Sequence, residues 1–147
     1  MELGEKERAF LERIRGAAMI TLRPDGTPHA VRVGVALVDG KLWSSGTQDR
    51  VRTRHLRRDP RCTVFVFDTS FSSLTVEAKV TILEGPDAPE QSLRLFQAMQ
   101  ANLTPAPPPG KLVWAGEQKT FEEFLEIMRA EHRLIYEFEP IRVYGIY

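Results

Sequence analysis

Apolar and polar positions along this chain repeat first with a helical period and then, for most of its length, with a period of two. Leu3, Phe10, Leu11 and Ile14 fall on one stripe, with Glu, Lys and Arg around the rest, which predicts an amphipathic helix over residues 3–15 ended by Gly16. Ala18, Ile20 and Leu22 then alternate with Met19, Thr21 and Arg23, the pattern of a strand, and Pro24-Asp25-Gly26-Thr27 is a turn signal. Val31, Val33, Val35 and Leu37 continue the alternation in one longer strand that puts Arg32 on the opposite face. Asp39-Gly40 marks a hairpin, and Lys41 to Ser45 makes the returning strand. After a polar loop over 46–49, Asp49 stands where it would cap a short helix over 50–58, which Asp59-Pro60 stops.

In the second half, Cys62 to Phe67 is apolar at both parities and reads as a central strand buried on both faces. Leu74, Val76, Ala78, Val80 and Ile82 alternate with Thr75, Glu77, Lys79 and Thr81, a long strand with one wet face. Leu93, Phe96, Met99 and Leu103 predict a helix over 89–103, and the proline-rich stretch 105–110 is a surface loop. Thr120 and Glu123 match a capping box ahead of the helical face Phe121, Phe124, Leu125 and Met128. Leu134, Tyr136 and Phe138 form a last strand, interrupted by Pro140 and resumed at Ile141, Val143 and Gly145. Strands joined by tight turns run antiparallel. About six of them, with flanking helices, predict a mainly β, α+β architecture: one domain over residues 1–147 built on a β-barrel.

Composition narrows the function. Apolar residues at 42% and charged residues at 27% are ordinary for a globular chain. Twenty Lys and Arg balance twenty Asp and Glu, so a general nucleic-acid or membrane-surface binder is not favoured. One cysteine, Cys62, excludes a disulfide-stapled class and is assigned to the core. The charged N-terminus lacks a signal-like stretch, and no apolar run approaches the ~20 residues that span a bilayer, so a cytoplasmic location is expected. His29, His55 and His132 lack metal-ligand spacing, and no metal is expected.

The balanced total hides one basic segment, Ser44 to Arg61. A strand enters a small-residue loop and then a helix start studded with arginine. Helix N-termini present unpaired N–H groups and partial positive charge, which suits an anion. Ser44, Ser45 and Thr47 add hydroxyls, and Arg50 and Arg52 add planar forks that match phosphate oxygens. Arg54, Arg57, Arg58 and Arg61 are expected to face solvent or pair with carboxylates. From the residues alone, the other reading is a solvated basic face partnered by the acidic C-terminal half. Nucleic acid would call for aromatic residues beside the basic ones, and none are there.

The order strand, Asp-Gly turn, strand, then Arg50-x-Arg52-x-x-His55-Leu-Arg-Arg-Asp-Pro-Arg61 and a β-rich run resembles the pyridoxamine 5′-phosphate oxidase-like split-barrel superfamily. It is most similar to the flavin/deazaflavin-dependent branch that uses coenzyme F420. The resemblance runs from Ala18 to the terminal Pro140–Gly145, and Leu56 to Arg61 is its most specific string. It implies an FMN-binding split-barrel fold and a homodimer with cofactor in a cleft at the subunit interface. Arg52 takes the position of a phosphate-binding lysine, and Arg50 the adjoining basic or serine position. Arg32 and Val33 match the strand beside the isoalloxazine-type ring. Ser44 and Ser45 match the strand end near the phosphate and sugar-like chain. Arginine at 52 keeps the charge but changes its geometry, and His55 departs from a common asparagine or glutamine. The C-terminal Arg/His substrate pattern of the vitamin oxidase itself is absent, which disfavours turnover of pyridoxine phosphate. The implied activity is hydride transfer between F420 and a small organic substrate. FMN in place of F420, or binding without turnover, are the alternatives. The cofactor carries such chemistry, so no nucleophile–base pair is required, none is visible, and no catalytic residue is assigned. Tyr136, Tyr144 and Tyr147 are candidate proton donors that the sequence does not rank.

Overall fold

The computed structural model describes residues 1–147. Its elements are α1 (Glu5–Arg13), β1 (Gly16–Leu22), β2 (Pro28–Gly34), β3 (Ala36–Val38), β4 (Lys41–Thr47), α2 (Val51–Arg58) and β5 (Arg61–Phe67), followed by β6 (Ser73–Leu83), α3 (Ala88–Gln100), β7 (Lys111–Trp114), β8 (Glu117–Thr120), α4 (Phe121–Ala130) and β9 (Arg133–Ile146). Seven strands form one sheet in the order β2-β1-β5-β6-β9-β4-β3, and β7 and β8 form a separate hairpin. Every pairing is antiparallel.

The two edges of the sheet, β2 and β3, are consecutive in the chain and joined only through Val35, which is fully buried. The sheet therefore curls until its edges meet, giving a half-barrel with a seam. Across that seam Ser44 Oγ on β4 donates to the Gly34 carbonyl at the end of β2, at 2.7 Å. The predicted single strand over 31–37 is thus two strands on opposite sides of the seam. Alternation runs on through the corner, so the hydrophobic pattern hides it.

Met19, Val64, Val66, Leu74, Val76, Leu134 and Phe138 fill the interior, with Phe10 and Leu11 of α1 and Leu56 of α2 in the same cluster. Fully burying one such side chain contributes about 1.5–3 kcal/mol, and truncating a phenylalanine such as Phe10 to Ala costs about 3–5 kcal/mol. On the outside, α3 covers β3, β4 and β9 through Leu95 against Trp43 and Ile135. The β7–β8 hairpin and α4 add Leu112, Phe124 and Met128, and the Gln100 side chain bonds both the N–H and the carbonyl of Val113.

Several expectations change in detail. Ala17, Met19 and Thr21 are the buried parity of β1, whereas Ala18, Ile20 and Leu22 face outward. β5 is an interior strand of the sheet, between β1 and β6, but only Cys62, Val64 and Val66 are covered. Its outer residues Phe65 and Phe67 are 36% and 44% exposed, their rings stacked 5.3 Å apart. Pro140 does not break β9: Ala78 pairs with Pro140 and Glu77 with Arg142, so Ile141 is a bulge residue in one continuous strand. α3 ends at Gln100, leaving Leu103 exposed beyond it. The β7–β8 hairpin lies in a stretch given no strands from sequence. Its turn is Ala115-Gly116, both at positive φ (51° and 80°), as a tight two-residue hairpin turn demands. The capping box of α4 is present as expected, with Glu123 N–H on Thr120 Oγ1 and Thr120 N–H on the Glu123 carboxylate.

Candidate functional site

The site is built where β4 ends and α2 begins. Asp49 does not cap the helix. It accepts a hydrogen bond from Thr47 Oγ1 at 2.7 Å, which holds its carboxyl below the usual carboxylate range. Arg50 is the N-cap residue, and no side chain caps the helix. The free N–H groups of the first turn therefore stay available to an anion. Thr53, one turn on and fully buried, ties the helix to β4 by donating to the Thr47 carbonyl at 2.7 Å.

The arginines of this segment differ sharply in their surroundings. Arg52 is half-buried and donates from Nη2 to the Ser45 carbonyl at 3.2 Å. Its Nε and the hydroxyl of Ser45 are both buried and have no partner. Burial lowers the Arg52 pKa; Tyr136 opposes that shift, and repulsion from Arg50 and Arg133 adds to it. Arg50 is exposed. The others are exposed too, as expected; Arg57 pairs with both oxygens of Glu84 at 2.7 and 2.8 Å, whereas Arg54 and Arg58 bond main-chain carbonyls, of Asp49 at 3.1 Å and of Leu22, in place of carboxylates. Arg61 pairs with Asp59 at 2.8 Å and holds that carboxyl at about 2.

Arg52 and Ser45 thus come together directly. Ser44 lies one residue away, but its hydroxyl is spent on the seam. Through that bond it brings the end of β2, next to Val33, against β4. Val33 turns its half-buried side chain into the core and offers a ligand only the backbone of an edge strand. Arg32 stands exposed on the outer face of β2, in register with Ala18 and, through it, Phe65. It is not bonded to either of the paired residues, Arg52 and Ser45.

One cation here escapes sequence reasoning. Arg133 opens β9 opposite Thr47, with its guanidinium 5.0 Å from the Trp114 ring centre and paired to Glu131 at 2.7 Å. No local pattern marks it; only the β4–β9 pairing brings it to the arginine turn. Beneath the other end of α2, His55 Nδ1 bonds Thr21 Oγ1 at 2.8 Å, and the His29 ring packs edge-on at 5.1 Å. Burial lowers the His55 pKa, and His29, Arg58, Arg23 and Arg54 lower it further. Of the tyrosines, Tyr136 is fully buried and bonded to Thr53, Tyr147 donates to Glu7 at 3.0 Å, and Tyr144 is exposed. Burial pushes the Cys62 thiol up to about 12, consistent with a core role.

A phosphate group fits this corner. It accepts several hydrogen bonds at once, and the corner holds an uncapped helix start, two buried polar atoms without partners and a free arginine. A cavity of about 540 Å³ lies elsewhere, between the N-terminal segment, the start of β4 and the bulge of β9, and includes none of these residues. A smaller recess of about 260 Å³ opens on the outer sheet face beside Ile20, Leu22 and Ile141. No helix is long and apolar enough to cross a membrane.

An antiparallel half-barrel closed along a seam, with helices packed on its outside, defines a split-barrel protein. The family model described as pyridoxamine 5′-phosphate oxidase matches residues 3–139, and the chain belongs to that family. No curated protein matches the sequence. Among solved structures, conserved hypothetical protein Rv2991 from Mycobacterium tuberculosis is 22% identical with a TM-score of 0.71, over 98% of this chain and 84% of that one. A protein named F420 reductase is 23% identical with a TM-score of 0.66, over 97% of this chain and 98% of that one. A pyridoxamine 5′-phosphate oxidase-related, FMN-binding protein from Nostoc punctiforme is 14% identical with a TM-score of 0.61, over 97% and 84%. At these identities the likeness is one of fold.

Proposed function

We propose that this chain is an oxidoreductase that moves a hydride between coenzyme F420 and a small organic substrate, working as a homodimer. The observation that carries this reading is the pair of buried polar atoms without partners, Arg52 Nε and Ser45 Oγ, beside an uncapped helix start. Arg52, Ser45 and Arg50 would hold the phosphate, and the edge strand around Arg32 and Val33 would lie along the ring. The bound deazaflavin supplies the hydride chemistry; the protein's part is to grip the tail, orient the ring and keep water away. F420 is favoured over FMN because its longer tail is acidic beyond the phosphate, and Arg50, exposed and without an acceptor beside Arg52, suits that added negative charge. FMN remains the second reading, since its ring and phosphate make the same demands.

The homodimer is supported by the outer face of β5, β6 and β9. Phe65, Phe67, Ile141, Tyr144 and Ile146 are all exposed there, beside the outward residues Ala18, Ile20 and Leu22. A second copy of this chain would cover those clustered apolar side chains. Parallel titrations of purified protein with F420 and FMN test the cofactor, and sedimentation tests the dimer. Tighter binding of F420 and a dimer that Phe65→Asp dissociates are the expected results. A monomer indifferent to both cofactors would overturn the proposal.

A further inference from the structure

Arg52 is held without any carboxylate, and what holds it leads into the barrel core. Its guanidinium carbon lies 5.5 Å from the ring centre of Tyr136, a residue with no exposed surface. Tyr136 pairs with Ser44 in the β4–β9 ladder. Its ring passes over Gly46, where a Cβ would fall within 2.2 Å of the tyrosine hydroxyl and 2.4 Å of the ring carbon that bears it. Glycine at 46 is thus what lets the ring reach out from the core toward α2.

The hydroxyl has a definite role in the hydrogen-bond count. Thr53 Oγ1 has one hydrogen, and it donates that hydrogen to the Thr47 carbonyl. The bond between Thr53 Oγ1 and the Tyr136 hydroxyl is therefore donated by the tyrosine. The phenol oxygen keeps its lone pairs. Burial pushes its pKa up, and the Thr53 bond together with the nearby charges of Arg52 and Arg50 pulls against that push. Tyrosine thereby does two things that phenylalanine cannot: it locks the rotation of its own ring through Thr53, and it offers an electron-rich oxygen beside the guanidinium.

We propose that Tyr136 is a positioning residue that sets the Arg52 guanidinium for the phosphorylated tail of the cofactor. This rests on the function proposed above. It assigns the accuracy of the phosphate grip to a core side chain of the last strand, aimed through the gap left by Gly46.

The test compares each phosphorylated cofactor with its phosphate-free counterpart, F420 against deazariboflavin and FMN against riboflavin, in titrations of the wild type, Tyr136→Phe and Arg52→Ala. Thermal melts and circular dichroism check that each variant is folded. The expected result for Tyr136→Phe is unchanged binding of the phosphate-free rings. Its preference for the phosphorylated partner should fall about tenfold, the size of one lost polar contact. Gly46→Ala, which displaces the same ring, should lower that preference as well. If Arg52→Ala abolishes the preference while Tyr136→Phe leaves it intact, the positioning role is wrong and the proposed function stands. The positioning role fails equally if Tyr136→Phe weakens phosphorylated and phosphate-free ligands alike, since that is the mark of a merely structural residue. If neither the wild type nor Arg52→Ala distinguishes the two ligand types, the proposed function itself falls.

Discussion

Arg52 and Arg57 stand on one short helix, five residues apart, and meet opposite fates. Arg57 reaches across to the residue after β6 and closes a bidentate pair with Glu84, so all it asks of its surroundings is satisfied within the chain. Arg52 turns inward, gives one hydrogen bond to a main-chain carbonyl, and keeps a buried N–H with no acceptor. An arginine with its carboxylate is a surface ion pair, worth about 0–1 kcal/mol to stability. An arginine desolvated without one costs stability unless something outside the chain completes it. A run of like charges is therefore not one feature. Counting acceptors residue by residue separates the cations that hold the fold from those that await a ligand.

The largest test of that contrast is Arg52→Ala. Loss of a charge-assisted contact, worth about 1.5–3 kcal/mol, should weaken the phosphorylated cofactor about 10- to 100-fold in a titration. The melting temperature should hold or rise, because a poorly satisfied group leaves the structure. Unchanged affinity would erase the distinction. Arg50→Ala should weaken binding by a smaller factor, about three- to tenfold. The loss should shrink as salt is added, since an exposed charge is screened over about 8–10 Å at ordinary ionic strength. A third effect comes from the far end of the same helix. His55 has its folded pKa below the ordinary value of about 6.5, so the unfolded chain takes up the proton more readily. Its contribution to stability is present above that value and is lost as pH falls through it. Melts recorded between pH 8 and about 5 should decline on the acid side, and His55→Asn should flatten that decline. The smallest effect is expected from Arg57→Ala: a stability loss within ~1 kcal/mol and cofactor affinity within about twofold of wild type.

Much of this architecture is legible in the sequence. Strict alternation in Leu74 to Ile82 locates β6, Thr120 with Glu123 locates the start of α4, and the Asp39-Gly40 turn joins β3 to β4. What stays hidden has physical reasons. The corner at Val35 carries a buried valine in phase with those of β2, so period alone does not reveal a change of strand. The β7–β8 turn uses Ala115, a residue that seldom takes positive φ, in place of the Asn or Asp that would announce it. Pro140 reads as a break, yet a bulge at Ile141 absorbs it. In the site, Arg50 and Arg52 are legible because they are neighbours in a basic string. Asp49 looks like a cap from its position, but Thr47 claims its carboxylate first. Arg133 and Tyr136 come from the last strand, and no spacing rule links them to a helix so far upstream.

The seam of the barrel has a consequence of its own. β2 is laddered only to β1 and β3 only to β4, whereas β6 and β9 run together from Ser73–Ile146 to Leu83–Ile135. The sheet therefore has a spine at one side and a hinge-like slit at the other, fastened by the hydroxyl of Ser44. In deuterated water the amide protons of β6 and β9 should survive longest, and those of β2 and β3 should vanish first. Ser44→Ala should hasten the loss in β2 while leaving the spine untouched, like a book whose clasp has been undone but whose binding is sound.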